Sequence, residues 1–443
     1  MILRDYQTRD VARIREAFRK HSRVVYQAPT GSGKTVLFCH LAQAAVARGT
    51  RVCILVHRRE LLKQASAKLR DNGVHHGVIS PDHPHSDALV HVASKDTLAR
   101  RAGYEFDWFI VDESHHIVAP TYKSIIGDTP VLGVTATPCR LSGAGLGTVF
   151  EHMVVGPTVR ELIGQGHLSR FKYLGPPCRV NMKQVKSHHG DWDREQAANL
   201  LDNPAMNGDV IKHYAKHLNG MPAIAFCSTV AHAESVAEQF RASGYRAESV
   251  DGKMPNDVRD DRIRAIGDGR LNVLTSCELI GEGLDVPLVY GALLIRPTKS
   301  LSVFLQQIGR VLRPAPGKES VILDHVGNYL RHGLPDMDRT WTLDAGAGKE
   351  KCDEKIKQCP VCFFVHDPAP ECPNCGYMYK VEKKTVRQMK YNDADLAEIR
   401  ITDEEARTLL SKARTLQQFH DAAKLTGKKP GWAFMKWKTR MRY

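Results

Sequence analysis

The chain has 443 residues, of which 42% are apolar and 25% are charged. This balance is typical of a globular protein of about three domains, and it excludes a collagen-like, fibrous or wholly disordered chain. The longest apolar stretch, 36–47, is interrupted by His40 and Gln43, whereas a membrane span needs roughly 18 uninterrupted apolar residues. The first 20 residues contain no signal-peptide core. We therefore expect a cytoplasmic protein that does not act at a membrane.

The charge and the cysteines each favour one class of ligand. The 63 basic and 49 acidic residues give a net charge of +14, which favours a polyanionic partner such as nucleic acid; a solvated basic surface is the alternative. Six of the 11 cysteines are scattered among apolar residues, and five lie between Cys352 and Cys375. This distribution indicates a reducing compartment and one metal site instead of a disulfide framework.

Short apolar runs alternate with helical patterns along 24–135, as in buried parallel strands joined by crossover helices. The predicted strands are Val24–Gln27, Val52–Val56, Leu89–Ala93, Trp108–Val111 and Val131–Val134. After a less regular segment, 150–220, the pattern resumes. Strands are predicted there at Ala223–Phe226, Ala247–Val250, Val273–Ser276, Ala292–Ile295 and Val321–Leu323, and helices at Ala231–Arg241 and Leu301–Leu312. The sequence therefore predicts two α/β domains in tandem.

A glycine-rich loop, Ala28–Thr35, follows the first predicted strand and opens a predicted helix. Its glycines allow backbone N–H groups to turn inward around phosphate oxygens, and the helix start adds its positive end. In this interpretation Lys34 bridges the β- and γ-phosphates and Thr35 holds Mg²⁺; the alternative is a fortuitous glycine turn. The expected nucleotide contacts of the loop are Gly31, Ser32, Gly33, Lys34 and Thr35.

Two adjacent carboxylates, Asp112 and Glu113, end the predicted strand that begins at Trp108. Because ligands of parallel sheets bind beyond the carboxyl ends of the strands, this pair is expected to face the phosphate loop. We expect Asp112 to hold Mg²⁺ and Glu113 to orient and deprotonate the attacking water. By its chemistry alone, His115 fits a functional residue and a plain polar histidine equally well.

These motifs, with others in the same order, resemble those of the superfamily 2 helicases of the DExH type over about 1–330. Leu3–Gln7 is similar to the family's adenine-reading element, and Leu55–Leu61 is similar to a motif that contacts the nucleic-acid strand. Thr135–Pro138 is similar to the motif that couples hydrolysis to domain movement. Ser114 departs from the more familiar Ala or Cys, at a position that points away from the chemistry in this family.

The second half contains three further similar segments, Phe226–Thr229, Gly281–Pro287 and an arginine-finger helix at Gln306–Arg313. The resemblance is closest to RadD-like and phage DNA helicases. The segments that carry this closer resemblance are Ile295–Ser300 and, after the finger helix, Pro314–Lys318 and Ile322–Asp324.

The resemblance implies an α/β fold of two tandem RecA-like parallel-sheet domains, 1–165 and 166–345, with a C-terminal zinc ribbon at 350–380 and a small basic helical tail at 385–443. It implies ATP and Mg²⁺ as ligands and catalytic roles for Lys34, Asp112, Glu113, Arg310 and Arg313. Further nucleotide contacts are expected from Gln7, Gly283 and Asp285. Residues expected to couple hydrolysis to domain movement are His115, Thr135, Thr137 and Gln306. Contacts with DNA are expected from Arg58 and Thr229.

Four cysteines have the spacing C-x2-C-x9-C-x2-C, and they are Cys359, Cys362, Cys372 and Cys375. Each pair lies on a turn that can aim two thiolates at one ion, and four thiolates form a closed, structural Zn²⁺ site. Chance spacing or a pair of disulfides is the alternative. Cys352, seven residues upstream, is expected to take no part.

The residues 381–443 contain 15 basic and 8 acidic residues, which is half of the total charge surplus. Lysines and arginines alternate there with Trp432, Phe434 and Trp437. This composition fits a nucleic-acid contact by charge and stacking. It fits equally a small helical core in which the aromatic rings are buried against the second α/β domain.

The leading hypothesis is an ATP-dependent DNA helicase or translocase in DNA repair or replication, acting in a bacterial or phage-infected cytoplasm. The expected partner is single-stranded, forked or branched DNA, with RNA disfavoured by the family resemblance alone. Two alternatives stay open: a nucleotide-switched binding or remodelling module without unwinding, and a motor subunit of a restriction or recombination complex. No nuclease constellation is visible in the sequence, so cleavage would need a partner.

Overall fold

A computed structural model of the protein describes residues 2–139, 145–177, 182–188, 190–277, 288–344, 356–379 and 403–440. The chain forms two compact units, 1–380 and 381–443. The first unit contains two parallel sheets and the cysteine cluster, and the second is a group of three helices. None of the helices in the described ranges is long and apolar enough to cross a membrane.

The first sheet has seven parallel strands with helices on its faces. Its strands are β1 (Arg23–Gln27), β2 (Val52–Val56), β3 (Gly77–Ile79), β4 (Val90–Ser94), β5 (Trp108–Asp112), β6 (Val131–Thr135) and β7 (His152–Val155). Its helices are α1 (Asp5–Ala17), α2 (Lys34–Val46), α3 (Arg59–Asp71), α4 (Lys95–Leu98), α5 (Pro120–Ile126) and α6 (Val159–Gly164). The strand order is β3-β4-β2-β5-β6-β1-β7. Strands β1, β5 and β6 therefore lie side by side, and the segments that follow them meet at one edge.

The second sheet has six parallel strands, and a separate two-stranded hairpin lies in the chain between its first and second strands. The strands are β8 (Arg170–Leu174), the hairpin pair β9 (Ser187–His188) and β10 (Asp191–Trp192), β11 (Ala223–Phe226), β12 (Ala247–Val250), β13 (Val273–Ser276), β14 (Gly291–Leu294) and β15 (Glu319–Asp324). The helices are α7 (Arg194–Leu201), α8 (Pro204–His217), α9 (Val230–Ala242), α10 (Asn256–Gly267), α11 (Leu301–Val311) and α12 (Tyr329–His332). The order across the sheet is β12-β13-β11-β14-β15-β8. The predicted fold of two tandem parallel-sheet α/β domains is confirmed.

The cysteine cluster is attached to the edge of the second sheet. Its short strands, β16 (Lys357–Gln358) and β17 (Val365–His366), form an antiparallel pair. Leu174 at the end of β8 forms a bridge with Phe364, and the N–H of Gly175 donates to the carbonyl of Phe363 over 2.9 Å. Because β8 is the last strand of its sheet, the ribbon covers backbone groups that an edge strand would otherwise expose.

The tail consists of α13 (Asp403–Lys412), α14 (Leu416–Leu425) and α15 (Pro430–Arg440). Its core contains Ala413, Phe419 and Ala433, and the half-buried rings of Trp432 and Trp437 pack against this core. The two tryptophans therefore stabilise the helical unit itself, and their burial against the second α/β domain stays a prediction. The basic side chains are exposed on its surface, and they include Lys428, Lys429, Lys436, Lys438 and Arg440.

Candidate nucleotide and nucleic-acid site

The glycine-rich loop joins β1 to α2 with two residues in left-handed conformations. Gly31 has φ of 85° and Gly33 has φ of 78°, a region that favours glycine. A Cβ atom on Gly33 would also lie 2.8 Å from Nε2 of Gln7, and one on Gly31 would lie 2.9 Å from Leu168. The left-handed backbone therefore favours glycine at both positions, and a larger residue would also displace the side-chain end of Gln7 or Leu168. The turn directs the start of α2 into the cleft described below.

The ammonium group of Lys34 is buried beneath this loop. Its Nζ atom donates to the carbonyls of Ala28 and Pro29, both over 3.1 Å. Burial lowers the pKa of Lys34, and the nearby carboxylates of Glu113 and Asp112 oppose this shift. The lysine is thus held by two carbonyl groups that phosphate oxygens could replace.

The two carboxylates lie at the end of β5. Glu113 has φ of 49°, and its N–H donates to Oδ1 of Asp112 over 3.0 Å. A non-glycine residue in this region is strained, and such strain is frequent at functional sites. Burial, with the charge of Glu113, raises the pKa of Asp112, while Lys34 opposes this shift. Asp112 and the hydroxyl-bearing Thr35 line the same cleft, and a carboxylate with a hydroxyl is a set of oxygen donors that fits Mg²⁺.

One cleft of about 500 Å³ brings together residues from both sheets. Arg310 on α11 and Arg313, which follows the end of this helix, line it from the second domain. The arginine-finger helix was expected to extend to Arg313, which would place both arginines on one helix face, but it ends at Val311 with its C-cap at Leu312. The predicted site residues that line this cleft are Gly31, Gly33, Lys34, Thr35, Asp112, Glu113, Arg310 and Arg313.

A glycine of the finger helix packs tightly against the phosphate loop on the other side of this cleft. A Cβ atom on Gly309 would lie 2.4 Å from Cβ of Thr30 in the phosphate loop. The finger helix therefore touches the loop directly, with no room for a side chain. Gln306, one turn earlier, is also buried, and its Nε2 atom has no hydrogen-bond partner among the described residues.

A chain of polar side chains runs from Glu113 toward the second domain. The Nδ1 atom of His115 lies 3.4 Å from Oε2 of Glu113 and 3.2 Å from the hydroxyl of Thr135. That hydroxyl donates to the carbonyl of Thr137 over 3.1 Å and accepts from its N–H over 3.2 Å. The hydroxyl of Thr137 then donates to Ser302 over 2.7 Å. Ser302, at the start of α11, was not predicted because a contact between distant residues leaves no local signal.

Gln7 lies under the phosphate loop instead of lining the cleft. Its Oε1 atom accepts from the N–H of Arg4 over 3.0 Å, and its Nε2 atom donates to the carbonyl of Gly33 over 3.1 Å. The neighbouring hydroxyl of Tyr6 donates to the carbonyl of Ser32. Both side chains therefore fix the loop, and an adenine contact by Gln7 stays a prediction. Gly283 and Asp285 lie outside the described residues.

The proposed nucleic-acid contacts are at the starts of two helices. Arg58 is the N-cap residue of α3, and Thr229 caps α9 by accepting from the N–H of His232 over 3.1 Å. Two ion pairs near the start of α3 connect the domains: Arg259 with Glu60 over 2.8 Å, and Lys63 with Asp260 over 2.7 Å. The sequence reasoning missed both pairs, which have no local pattern.

The four cysteines of the ribbon meet in one cluster, with all ligand atoms within 4.8 Å of one another. The sulfur atoms of Cys359 and Cys375 are 3.6 Å apart, and those of Cys362 and Cys372 are 3.7 Å apart. These separations are too long for disulfides, and they match the edge of about 3.8 Å expected for four thiolates at 2.3 Å from one Zn²⁺. The donor set and geometry therefore fit zinc.

Two family profiles match the chain. The profile of the type III restriction enzyme, res subunit, matches residues 1–140. The profile of the helicase conserved C-terminal domain matches residues 206–315. These ranges contain the phosphate loop and carboxylates in the first case, and Thr229 and Arg310 in the second.

Solved structures share the fold at low sequence identity. The yeast protein Dbp5 bound to RNA and ADP BeF3 has a TM-score of 0.51 and 16% identity, over 74% of this chain and 88% of that one. The type ISP restriction-modification enzyme LlaBIII bound to DNA has a TM-score of 0.53 and 15% identity, over 79% of this chain and 29% of that one.

Two sequence relatives are more similar. A 51.5 kDa protein of a Lactococcus phage is 35% identical over 366 residues, which cover 81% of this chain and 78% of the phage protein. IRC3 of Saccharomyces cerevisiae, named as a candidate ATP-dependent helicase, is 30% identical over 356 residues. This match covers 74% of this chain and 52% of the yeast protein, so the chain spans about half the length of that relative. Together, the restriction-subunit profile, the helicase profile and these relatives show that the chain belongs to the superfamily 2 helicases, which are ATPase motors that act on nucleic acid.

Proposed function

We propose that the protein converts ATP hydrolysis into movement along DNA, or into its unwinding. The observation that carries this proposal is the shared cleft, in which Lys34, Asp112 and Glu113 of the first domain face Arg310 and Arg313 of the second. Two domains that contribute opposite parts of one catalytic site can be driven together and apart by the state of the nucleotide.

Each side chain of the cleft has a proposed role. Thr35 and Asp112 would hold Mg²⁺, which neutralises phosphate charge during hydrolysis. Lys34 exchanges its two carbonyl contacts for the β- and γ-phosphates. Glu113 orients the attacking water and accepts its proton, and Arg310 and Arg313 stabilise the charge that develops on the transferred phosphate.

The hydrogen-bonded chain from His115 to Ser302 is proposed to report the state of this site. A shift of Glu113 on hydrolysis would change its contact with His115, and the threonines connect that histidine to the start of α11. Helix α11 also carries Arg310, which is proposed to contact the γ-phosphate across the cleft. When hydrolysis weakens that contact, α11 would move away and the two domains would open. Gln306, buried on the same helix, would assist this coupling.

Arg58 and Thr229 are proposed to hold the nucleic-acid backbone from different domains. Each lies at the start of a helix, where backbone N–H groups and the helix dipole favour phosphate. Alternating closure and opening would then move one grip relative to the other. Such contacts are largely indifferent to base sequence and weaken with salt.

DNA is the favoured substrate because of the restriction-enzyme profile at 1–140 and the likeness to an enzyme solved with DNA. The same fold bound to RNA in Dbp5 is the counter-example. The profile also favours a second candidate function, a motor subunit of a restriction-type complex. The ribbon is proposed to hold one structural zinc ion on Cys359, Cys362, Cys372 and Cys375.

The test is the ATPase rate with matched single-stranded, duplex, forked and branched DNA, and with single-stranded RNA. We expect stimulation by DNA, strongest with single-stranded, forked or branched molecules, and strand separation on forked DNA at low salt. The variant Glu113→Gln is the control for contaminating ATPases. Stimulation by RNA alone would contradict the DNA assignment, and stimulation without strand separation would favour a translocase or a motor subunit.

A further inference from the structure

A second cavity, of about 440 Å³, lies at the end of the first sheet opposite to the cleft. It is bounded by the C-terminal parts of α1 and α2 and by the start of β5. Trp108 begins β5 and Asp112 ends it, so roughly 13 Å of strand separates this cavity from the catalytic carboxylates. The cavity is therefore outside the machinery described above, and its size is within the range of binding pockets.

The floor of the cavity is apolar and aromatic. Ile14 and Leu41 are buried at its base, and Phe18 and Trp108 are half-buried. The rings of Phe18 and Trp108 meet edge to face, with centroids 5.6 Å apart and an angle of 89°. Such a pair offers a rigid surface for an apolar side chain, since neither ring needs to move to receive it.

The rim of the cavity is basic. Arg15, Arg19 and Arg48 line it and are all exposed. Arg19 is paired with Glu16. In the described ranges, no carboxylate lies within 4.0 Å of Arg15 or Arg48. Asp107 is the single carboxylate of the lining, and its Oδ2 atom accepts from the N–H of Arg51 over 2.8 Å.

One buried donor of the lining also lacks an acceptor. The indole N–H of Trp108 is shielded from solvent and has no hydrogen-bond partner among the described residues. A buried N–H without a partner is costly, and native structures usually satisfy it with a partner or a ligand. The cavity therefore combines an apolar floor with two exposed guanidinium groups, those of Arg15 and Arg48, and one buried indole donor that has no acceptor among the described residues.

We propose that this cavity binds an acidic segment of a partner protein. An apolar side chain of the segment lies on the Phe18–Trp108 floor, and its carboxylates pair with Arg15 and Arg48. Tryptophan and arginine are the residues that dominate protein interfaces, and charge complementarity selects an acidic partner. A nucleic-acid backbone would pair its phosphates with the arginines but would leave the apolar floor without a ligand. In addition, Arg58, the proposed nucleic-acid contact of the first domain, lies at the opposite edge of the same sheet.

The experiment uses the full chain and four fluorescein-labelled octapeptides, each with six acidic residues around one central leucine, isoleucine, phenylalanine or tryptophan and a terminal glycine. A peptide with lysines in place of the acidic residues is the charge control. We expect at least one acidic peptide to bind with Kd of about 50 µM, a value of transient interfaces. The double variant Arg15→Glu/Arg48→Glu should weaken it at least tenfold, and Trp108→Phe about threefold.

The matched control is Lys20→Glu/Arg100→Glu, which makes the same charge change on exposed residues of the first domain that do not line the cavity. Peptide affinity should be retained in this control, and basal ATP hydrolysis should be unchanged in every variant. No binding below 1 mM by any acidic peptide, or equal loss in the control, would overturn the proposal. Displacement of the peptide by oligo(dT) would do the same, because it would identify a nucleic-acid site. Failure of ATP hydrolysis in the unaltered protein would bear only on the proposed function.

Discussion

The hydroxyl of Thr137 donates to the hydroxyl of Ser302 over 2.7 Å, and this hydrogen bond joins the two domains at buried positions. Thr137 is connected through Thr135 and His115 to Glu113. Ser302 lies at the start of α11, the helix of Arg310. The Thr137–Ser302 hydrogen bond is thus the interdomain link in a series of contacts from Glu113 to the helix that carries Arg310.

Removal of this contact should reduce coupling more than nucleotide binding. We expect Ser302→Ala and Thr137→Val each to lower the DNA-stimulated ATPase rate several-fold, because one hydrogen bond is worth about 0.5–1.5 kcal/mol. The KM for ATP should change less than twofold. Thr137→Ser, which keeps the donor, should restore most of the rate, and Ser124→Ala at an exposed position of α5 is a neutral control. Equal rates in all four variants would show that the contact is only structural.

Loss of the phosphate lysine or of the base should have different signatures. Lys34→Ala should abolish hydrolysis and weaken ATP binding, because the loop loses its buried cation. Glu113→Gln should retain binding and lose turnover, since the shape of the side chain survives and its basicity does not. Equilibrium binding of a fluorescent ATP analogue, measured beside single-turnover hydrolysis, separates the two. Near-normal turnover in either variant would remove the role assigned to that residue.

The arginines should act on the rate and not on affinity. Arg310→Ala and Arg313→Ala should each lower the maximal ATPase rate by about 10³-fold or more, within the range known for arginine fingers. The reason is that these contacts strengthen mainly in the closed transition state. Arg100→Ala, on the exposed surface of the first domain, is the control. A defect in KM with an intact maximal rate would contradict the two-domain cleft.

Zinc should be required for the second domain and not only for the ribbon. The purified protein should contain one zinc ion per chain, and chelation or Cys362→Ser should lower its thermal stability. Truncation after residue 380 should leave a folded unit, whereas truncation after residue 350 should uncover β8 and promote aggregation. Light scattering and metal analysis test both statements. A stable, soluble 1–350 fragment would show that the ribbon is dispensable for the fold.

Stability should fall between pH 6.5 and pH 4 because of two buried histidines. Burial lowers the pKa of His325 to about 3 and that of His332 to about 4. Each folded-state pKa is below the unfolded value, so the unfolded state binds more protons in this window and the folded state loses stability as pH falls. The loss approaches about 1.4 kcal/mol per pH unit for each histidine. His332→Gln, which can still donate to the carbonyl of Thr298, should flatten the dependence of Tm on pH; an unchanged slope would contradict this account.

The elements that the sequence predicted are those whose signal is local. Strands β2 and β6 are buried at every position, and their continuous apolar runs were sufficient to find them. Strand β8 was missed because its first three residues, Arg170–Lys172, are exposed or half-buried at the edge of the sheet and read as a polar segment. The phosphate loop was found from its glycine spacing and from its position between a predicted strand and a predicted helix. The contacts of Ser302 and of Arg259 were not, because they depend on how two domains meet.

The approach of Gly309 to Thr30 limits what the motor can tolerate. The structure leaves no volume for even a methyl group where the finger helix touches the phosphate loop. A Gly309→Ala change would therefore act as a spacer, holding the arginines away from the nucleotide without altering any charge. Such a protein would still bind ATP and DNA separately, but its two domains would be unable to close fully on the nucleotide. The substitution would therefore arrest the motor in its open state without a change of charge.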